Sequence, residues 1–389
     1  MAEEAEAEYH SKDFEWEDLR RVVENDSSLR YHLTPFVSSS SCAAPAMEAD
    51  AWRSFHRRHS AGKFFKVLII NSTLGHKKIE VFLFDDGFTT EMTKARDIAE
   101  LYLLMMMKFM CCRKKMVPNK TDILCLDYLY VLCLRFKERR YLLKEFPELI
   151  RISDSVKVLE VGCGNGSTVL PILRAKQNIT VYACDCSEEI LRKAEEIIAT
   201  GSAISLVPRF FTFLLDVSVN DFPDWLFCTS CRRNSSPEPA NFSSDSRGEN
   251  LEMSHMSAFL REDQCCIGGV DFVTMIFTLS AIPFKRMPSV IEKCLSVLRP
   301  GGLLLFRDYG LYDMTMLRFL SEQRVGFCEY MRSDGTFSYF FSLDTARNLF
   351  LAAGFTEVEL TYCCITSVNR QKGKSMQRVW VHGKFQKPV

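Results

Sequence analysis

An α/β fold built on a mostly parallel seven-stranded sheet, with helices on both faces, is predicted by three features of this sequence. The apolar run Val156-Lys157-Val158-Leu159-Glu160-Val161 leads into Gly162-Cys163-Gly164-Asn165-Gly166, and a helical stretch from Ser167 to Lys176 follows. A second apolar run, Ile179 to Cys184, ends on Asp185, 23 positions after Gly162. Further on, a helix over Met287 to Leu298 meets Arg299-Pro300-Gly301-Gly302 and a strand over Leu303 to Phe306. Strand, glycine turn, helix, strand, acid is the order of a Rossmann-like βαβ unit. Its close-set glycines let backbone approach a ligand at a helix N-terminus.

From the N-terminus, the first element is an acidic segment. The chain carries 49 basic and 49 acidic side chains, so bulk charge does not mark a nucleic-acid binder. The distribution is uneven, with twelve Asp or Glu against four Lys or Arg in residues 1–50. That segment ends in the Ser/Ala/Pro tract Ser38 to Met47 and is expected to be disordered. Residues 51–66 then carry Arg53, Arg57, Arg58, Lys63 and Lys66 with no acid. No signal peptide is expected, because no positive and apolar leader is visible. No membrane segment is expected either: Leu101 to Met107 stops at Lys108, well short of the ~20 apolar residues of a span. Sixteen cysteines in such a chain read as reduced thiols of a cytoplasmic protein, also compatible with the nucleus.

The core of the chain reads as strand–helix–strand–strand over 156–216 and strand–helix–strand over 270–306. Between them Cys228 to Gly269, rich in Ser, Asn, Glu and Pro, shows no hydrophobic period and is expected to be a mobile loop insertion. Cys228-x-x-Cys231 and Cys265-Cys266 lie at its ends. Their spacing is irregular for a zinc site, so scattered free cysteines and no metal are the expectation.

The glycine turn fits NAD or S-adenosylmethionine, and the details favour the second. Gly162, Gly164 and Gly166 fall as Gly-x-Gly-x-Gly, with Ser167 where a dinucleotide fingerprint needs its last glycine. Glu160, two residues before the first glycine, suits a cationic sulfonium and amino group better than a pyrophosphate. Asp185 is placed for ribose hydroxyls. Phe213-Leu214-Leu215-Asp216 ends a third strand in an acid placed for the adenine amine. Asp271 to Leu279 supplies a fourth strand, and helix, Pro-Gly-Gly, strand is the usual lead-in to the fifth strand of a class I methyltransferase.

Several stretches carry more than the superfamily. These are Asp271 to Ile282, Arg307-Asp308-Tyr309-Gly310-Leu311-Tyr312-Asp313, Leu317-Arg318-Phe319, Arg332-Ser333-Asp334-Gly335-Thr336, Ser338-Tyr339-Phe340-Phe341, and Arg378-Val379-Trp380 through Lys387-Pro388. Over 50–66 and 138–388 the chain resembles the methyltransferase-like family that makes N3-methylcytidine in tRNA. The resemblance implies cofactor contacts at Trp52, His56, Gly162, Asp185, Asp216 and Ile276; position 56 is usually Tyr in that family. It implies a target at cytidine 32 of the anticodon loop. For some members it implies an accessory protein, such as an aminoacyl-tRNA synthetase.

Cytosine N3 has a lone pair and needs no strong base, so the enzyme must mainly present an unstacked base in line with the methyl. Arg307, Asp308 and Tyr309 follow the fifth strand, at the edge where ligands bind open α/β sheets. They are the candidate catalytic residues: Asp308 to hold the exocyclic amine and Tyr309 to stack on the base. The alternative for this group is a buried anchor in which Arg307 pairs with Asp308. Arg318, Arg332 and Arg378 are candidate phosphate contacts.

Relatives run from Phe-Phe-Lys straight into Asp/Glu-Arg, whereas here Phe64-Phe65-Lys66 is parted from Glu138-Arg139-Arg140-Tyr141-Leu142 by residues 67–137. An intron translated in frame reads this way, and so does a lineage-specific insertion. Four segments follow: tail 1–50, cofactor- and tRNA-contacting element 51–66, insertion 67–137, and catalytic domain 138–389. Two competing functions are a methyltransferase acting on a protein or small molecule, and an inactive adapter that binds tRNA or a partner.

Overall fold

The computed structural model describes residues 12–36, 48–59, 69–74, 77–82, 139–151, 154–200, 209–234, 264–369 and 374–389. The chain divides into two compact units, one of residues 1–58 and 138–389, the other His59–Lys137. In the second unit the described residues form one antiparallel hairpin, β1 (Ile69–Leu74) with β2 (Lys77–Phe82). The remainder of the segment read as an insertion lies outside the described residues.

The first unit is built on a seven-stranded sheet. Its strands are β3 (Val156–Val161), β4 (Ile179–Asp185), β5 (Phe210–Leu214), β6 (Val270–Ile276), β7 (Leu298–Tyr309), β11 (Thr356–Asn369) and β12 (Lys374–Gln386). Their order is β11-β12-β7-β6-β3-β4-β5. The pairs from β7 to β5 are parallel, and β12 runs antiparallel to both β7 and β11. A small three-stranded sheet joins β8 (Arg324–Gly326), β9 (Glu329–Met331) and β10 (Phe337–Tyr339). β3, β4 and β6 are almost wholly buried, as expected of parallel strands covered on both faces. Chain order runs outward from β3 through β4 to β5, then returns to β6 on the other side of β3. That reversal opens a crevice at the carboxyl ends of β3 and β6.

Two expectations are corrected. A helix, Glu188–Thr200, stands between β4 and β5, where two successive strands were expected. The disorder expected over 1–50 does not hold for 12–36. Helix Trp16–Asn25 buries Leu19 and Val23, and Trp16 stacks between Tyr312 and Tyr362. His32 is buried against the Tyr330 hydroxyl at 2.7 Å. Acidic composition masked an apolar stripe at helical spacing, Trp16-Leu19-Val23. Among the described residues no helix is long and apolar enough to cross a membrane.

The cysteines at the ends of the Cys228–Gly269 excursion are not scattered. The thiols of Cys228, Cys231, Cys265 and Cys266 all lie within 4.8 Å of one another. Residues far apart in sequence meet because Trp225 and Leu226 bond Ile267 and Gly269 through their backbones. The interior of the excursion, residues 235–263, lies outside the described residues.

Candidate active site

The turn after β3 is shaped by glycines in the left-handed region, with Gly162 at φ 71° and Gly164 at φ 53°. The two differ in surroundings. A Cβ on Gly162 would lie 2.5 Å from the Thr278 methyl, whereas a Cβ on Gly164 would meet nothing within 4 Å. Gly162 is therefore a packing glycine, and Gly164 presents bare backbone to open space.

Asp185, at the end of β4, reaches back over this turn. Its carboxylate accepts from Gly164 N–H at 3.0 Å and from Ser187 N–H at 3.1 Å. His56 Nε2 lies 3.8 Å from its Oδ1. Burial pushes the Asp185 carboxyl up, while His56 and the two N–H donors pull the other way. Glu160 is buried beneath the turn and accepts from the Thr274 hydroxyl of β6. Burial raises its carboxyl to about 7 against the hydroxyls of Thr274 and Thr168 and the charge of Arg139. Asp216 lies two residues past β5 and closes a local turn, accepting from Ser218 N–H at 3.0 Å and Ser218 O–H at 2.7 Å. Ile276, the last residue of β6, is buried.

Helix Glu48–His59 spans the carboxyl edge. Trp52 Nε1–H donates to Ala281 O at 3.3 Å, beyond β6, and Arg53 Nε–H donates to Cys186 O at 3.1 Å, beyond β4. With His56 beside Asp185, one helix face touches the strand ends on both sides of the glycine turn. Trp52, His56, Gly162, Gly164, Asp185 and Ile276 are thus gathered around one crevice, and Glu160 lies under its floor. Together they fit S-adenosylmethionine: bare backbone at Gly164, an acid for hydroxyls, and a buried carboxyl whose ionised form a nearby cationic group would favour.

The three candidates expected after the fifth strand are its last residues, since β7 runs on to Tyr309, and their surroundings separate them. Arg307 is buried and its guanidinium pairs with Glu145, not with Asp308. It is sandwiched between the rings of Tyr141 and Trp380, 4.9 and 4.5 Å from the centroids. Glu145 also meets His382 Nδ1 at 3.0 Å. Arg307, on β7, is therefore enclosed by Tyr141, Glu145 and the β12 residue Trp380, the surroundings of an internal anchor. Asp308 has no exposed surface. Its carboxylate accepts from Ser280 N–H at 2.9 Å and Tyr309 N–H at 2.8 Å, and burial pushes it up to about 6. It ties the turn Leu279–Ala281 to β7 and does not open on the crevice as expected. Tyr309 alone keeps partial exposure, its ring 5.1 Å from Phe277 and 5.6 Å from Phe340. Of the phosphate candidates, Arg378 is held by Asp313 at 2.9 Å, Arg318 is exposed, and Arg332 lies half-buried in the β9–β10 turn.

Sequence reasoning missed four contributors. Phe277 has φ 57°, a strained value for an aromatic residue, and the Arg139 guanidinium lies 5.2 Å from its ring. Thr278 donates to Val161 O at 2.9 Å and packs on Gly162. Glu145 holds Arg307. Arg139, Phe277 and Thr278 lie within stretches that carried the family resemblance, so the signal was present without a role attached. Glu145 had no signal of its own.

A methyltransferase domain family matches residues 134–360, more than half of the chain. The tRNA N(3)-methylcytidine methyltransferase Mettl2 of Drosophila melanogaster is 34% identical over 265 residues, covering 65% of this chain and 67% of that one. The human tRNA N(3)-cytidine methyltransferase METTL6 is 32% identical over 257 residues, covering 65% and 75%. A Dictyostelium discoideum protein named O-methyltransferase 3 is 32% identical over 239 residues, 61% of this chain and 45% of that protein.

Proposed function

Because the chain belongs to the tRNA N3-cytidine methyltransferase family, we propose that it methylates N3 of a tRNA cytidine, and that the target is cytidine 32 of the anticodon loop. One observation carries the chemical reading: a nucleoside crevice and an aromatic ledge share one sheet edge. The crevice is lined by Gly164, Asp185 and helix Glu48–His59, and the ledge is Tyr309 and Phe277, backed by the buried Phe340. S-adenosylmethionine supplies an electrophilic methyl group. The protein's part is to bind it, hold a flipped cytosine in line and keep water out.

No general base is required, since N3 attacks with its own lone pair. This agrees with a ledge of aromatic rings and no exposed carboxylate on β7. Tyr309 and Phe277 are the rings we assign to the base, a face-on contact that suits any unstacked nucleobase. Arg318 and Arg332 are the phosphate contacts we retain, and an accessory protein that delivers the tRNA belongs to the same proposal.

The deciding experiment is methylation of tRNA transcripts with nucleoside mass spectrometry. N3-methylcytidine should appear, and changing cytidine 32 to uridine should abolish it. Methylation at another cytidine refutes the position. Cofactor binding without any methylation, with cell extract added as a source of partner, would leave an adapter.

A further inference from the structure

We propose that Cys228, Cys231, Cys265 and Cys266 form a structural zinc site that clips the two ends of the long excursion between β5 and β6. The geometry comes first. Cys265 Sγ lies 3.6 Å from Cys228 Sγ and 3.4 Å from Cys231 Sγ, and all four sulfurs fall within 4.8 Å of one another. Zinc bound to four thiolates at ~2.3 Å places its sulfurs about 3.8 Å apart, inside this range. A disulfide needs sulfurs at ~2.05 Å, and one sulfur cannot bridge two others. Close approach of four thiols is therefore better matched to one shared cation than to two covalent pairs.

The surroundings are those of a thiolate centre. Gly268 N–H points at Cys266 Sγ, 3.3 Å away, and Gly268 can do so because its φ is 75°. Four thiolates around one zinc leave two net negative charges, and cations stand beside both ligand segments. Lys157 Nζ donates to Ile267 O, Arg232 Nε–H to Phe227 O, and Arg299 Nε–H to Gly268 O. Arg299 also pairs with Asp271 at the start of β6. Cys228 and Cys231 sit at the start of helix Thr229–Asn234, whose turn brings both thiols to one side.

The position argues for a structural role. The thiols lie at the amino end of β6, which starts at Val270, whereas the glycine turn follows the carboxyl end of the parallel β3. The site is thus at the opposite edge of the sheet from the crevice. A metal there would fix the strand-entry segment 265–269 and close the loop 232–264 without touching the cofactor, as four-ligand zinc centres do.

The test is metal analysis of the untagged full chain, purified under reducing conditions. About one zinc per chain is expected. The double variant Cys231→Ser/Cys265→Ser should lose it at least tenfold, while Cys363→Ala, outside the cluster, should keep it. Because the double variant can misfold, cobalt is titrated into demetallated wild-type chain as well. Intense visible bands of tetrahedral cobalt thiolate, displaced by one equivalent of zinc, are expected. The proposal is overturned if the wild-type chain holds no zinc with all four thiols free to alkylation, if it holds iron instead, if the thiols are found as disulfides, or if the double variant retains the metal.

Discussion

Two carboxyls show how a residue's role follows from its surroundings. Asp308 faces two backbone N–H groups and no solvent. Asp308→Ala should strand both donors, at about 1–3 kcal/mol for each buried unsatisfied group. Melting temperature and methylation should then fall together. Single-turnover methylation beside a thermal melt tests this; a slow enzyme with a wild-type melt would return Asp308 to direct contact with the base. Glu160 makes a pH-dependent prediction. Its folded carboxyl is raised from 4.5 to about 7. Between those values the folded state binds more protons than the unfolded one, so stability is full below pH ~4.5 and is lost as pH rises through ~7. Glu160→Gln should melt like wild type at low pH and above it on the alkaline side, by about 1–3 kcal/mol. Equal melting at both ends would show that the carboxyl titrates normally.

At the scale of elements, the glycine turn and the helix above it divide the work of building the crevice. Gly162 is packed on Thr278 and Gly164 is not, although both take positive φ. Gly164→Ala should cost about 1–2 kcal/mol of left-handed strain and chiefly weaken cofactor binding. Gly162→Ala adds a clash with Thr278 and should lower stability further. Calorimetry with denaturant melts compares them, and equal stability losses would show that Thr278 yields freely. Helix Glu48–His59 reaches the strand ends through Trp52 to Ala281 and Arg53 to Cys186. Trp52→Ala should leave the melt unchanged and weaken S-adenosylmethionine about tenfold, the scale of one aromatic contact. A lower melt with intact affinity would make the helix a structural brace. Neither the split between the two glycines nor the reach of this helix is legible in sequence, because both depend on what stands opposite in space.

At the scale of the molecule, residues 67–137 belong to a unit that the contacts of the chain separate from the rest. Excising them joins Lys66 to Glu138. The first unit should then keep its melting transition and its cofactor affinity, since the free energy of closing a loop changes slowly with its length. A lost transition would show that the segment supports the catalytic unit.

What the sequence determined by itself was the parallel sheet, its glycine turn and the acid Asp185. These are written in short-range patterns: apolar runs of strand length, a glycine spacing, an interval. It also determined the family, through the stretches around Phe277, Tyr309 and Trp380. What only the tertiary structure decided is which groups meet across long separations. Arg307 takes Glu145 as its partner over its neighbour Asp308, because alternate residues of a strand face opposite sides of the sheet. The segment 12–36 folds because Trp16 finds Tyr312 and Tyr362, some three hundred positions away. Four cysteines become one cluster because Trp225 and Leu226 bond Ile267 and Gly269. Burial and pairing are properties of what surrounds a residue, and those surroundings exist only once the chain has folded back on itself.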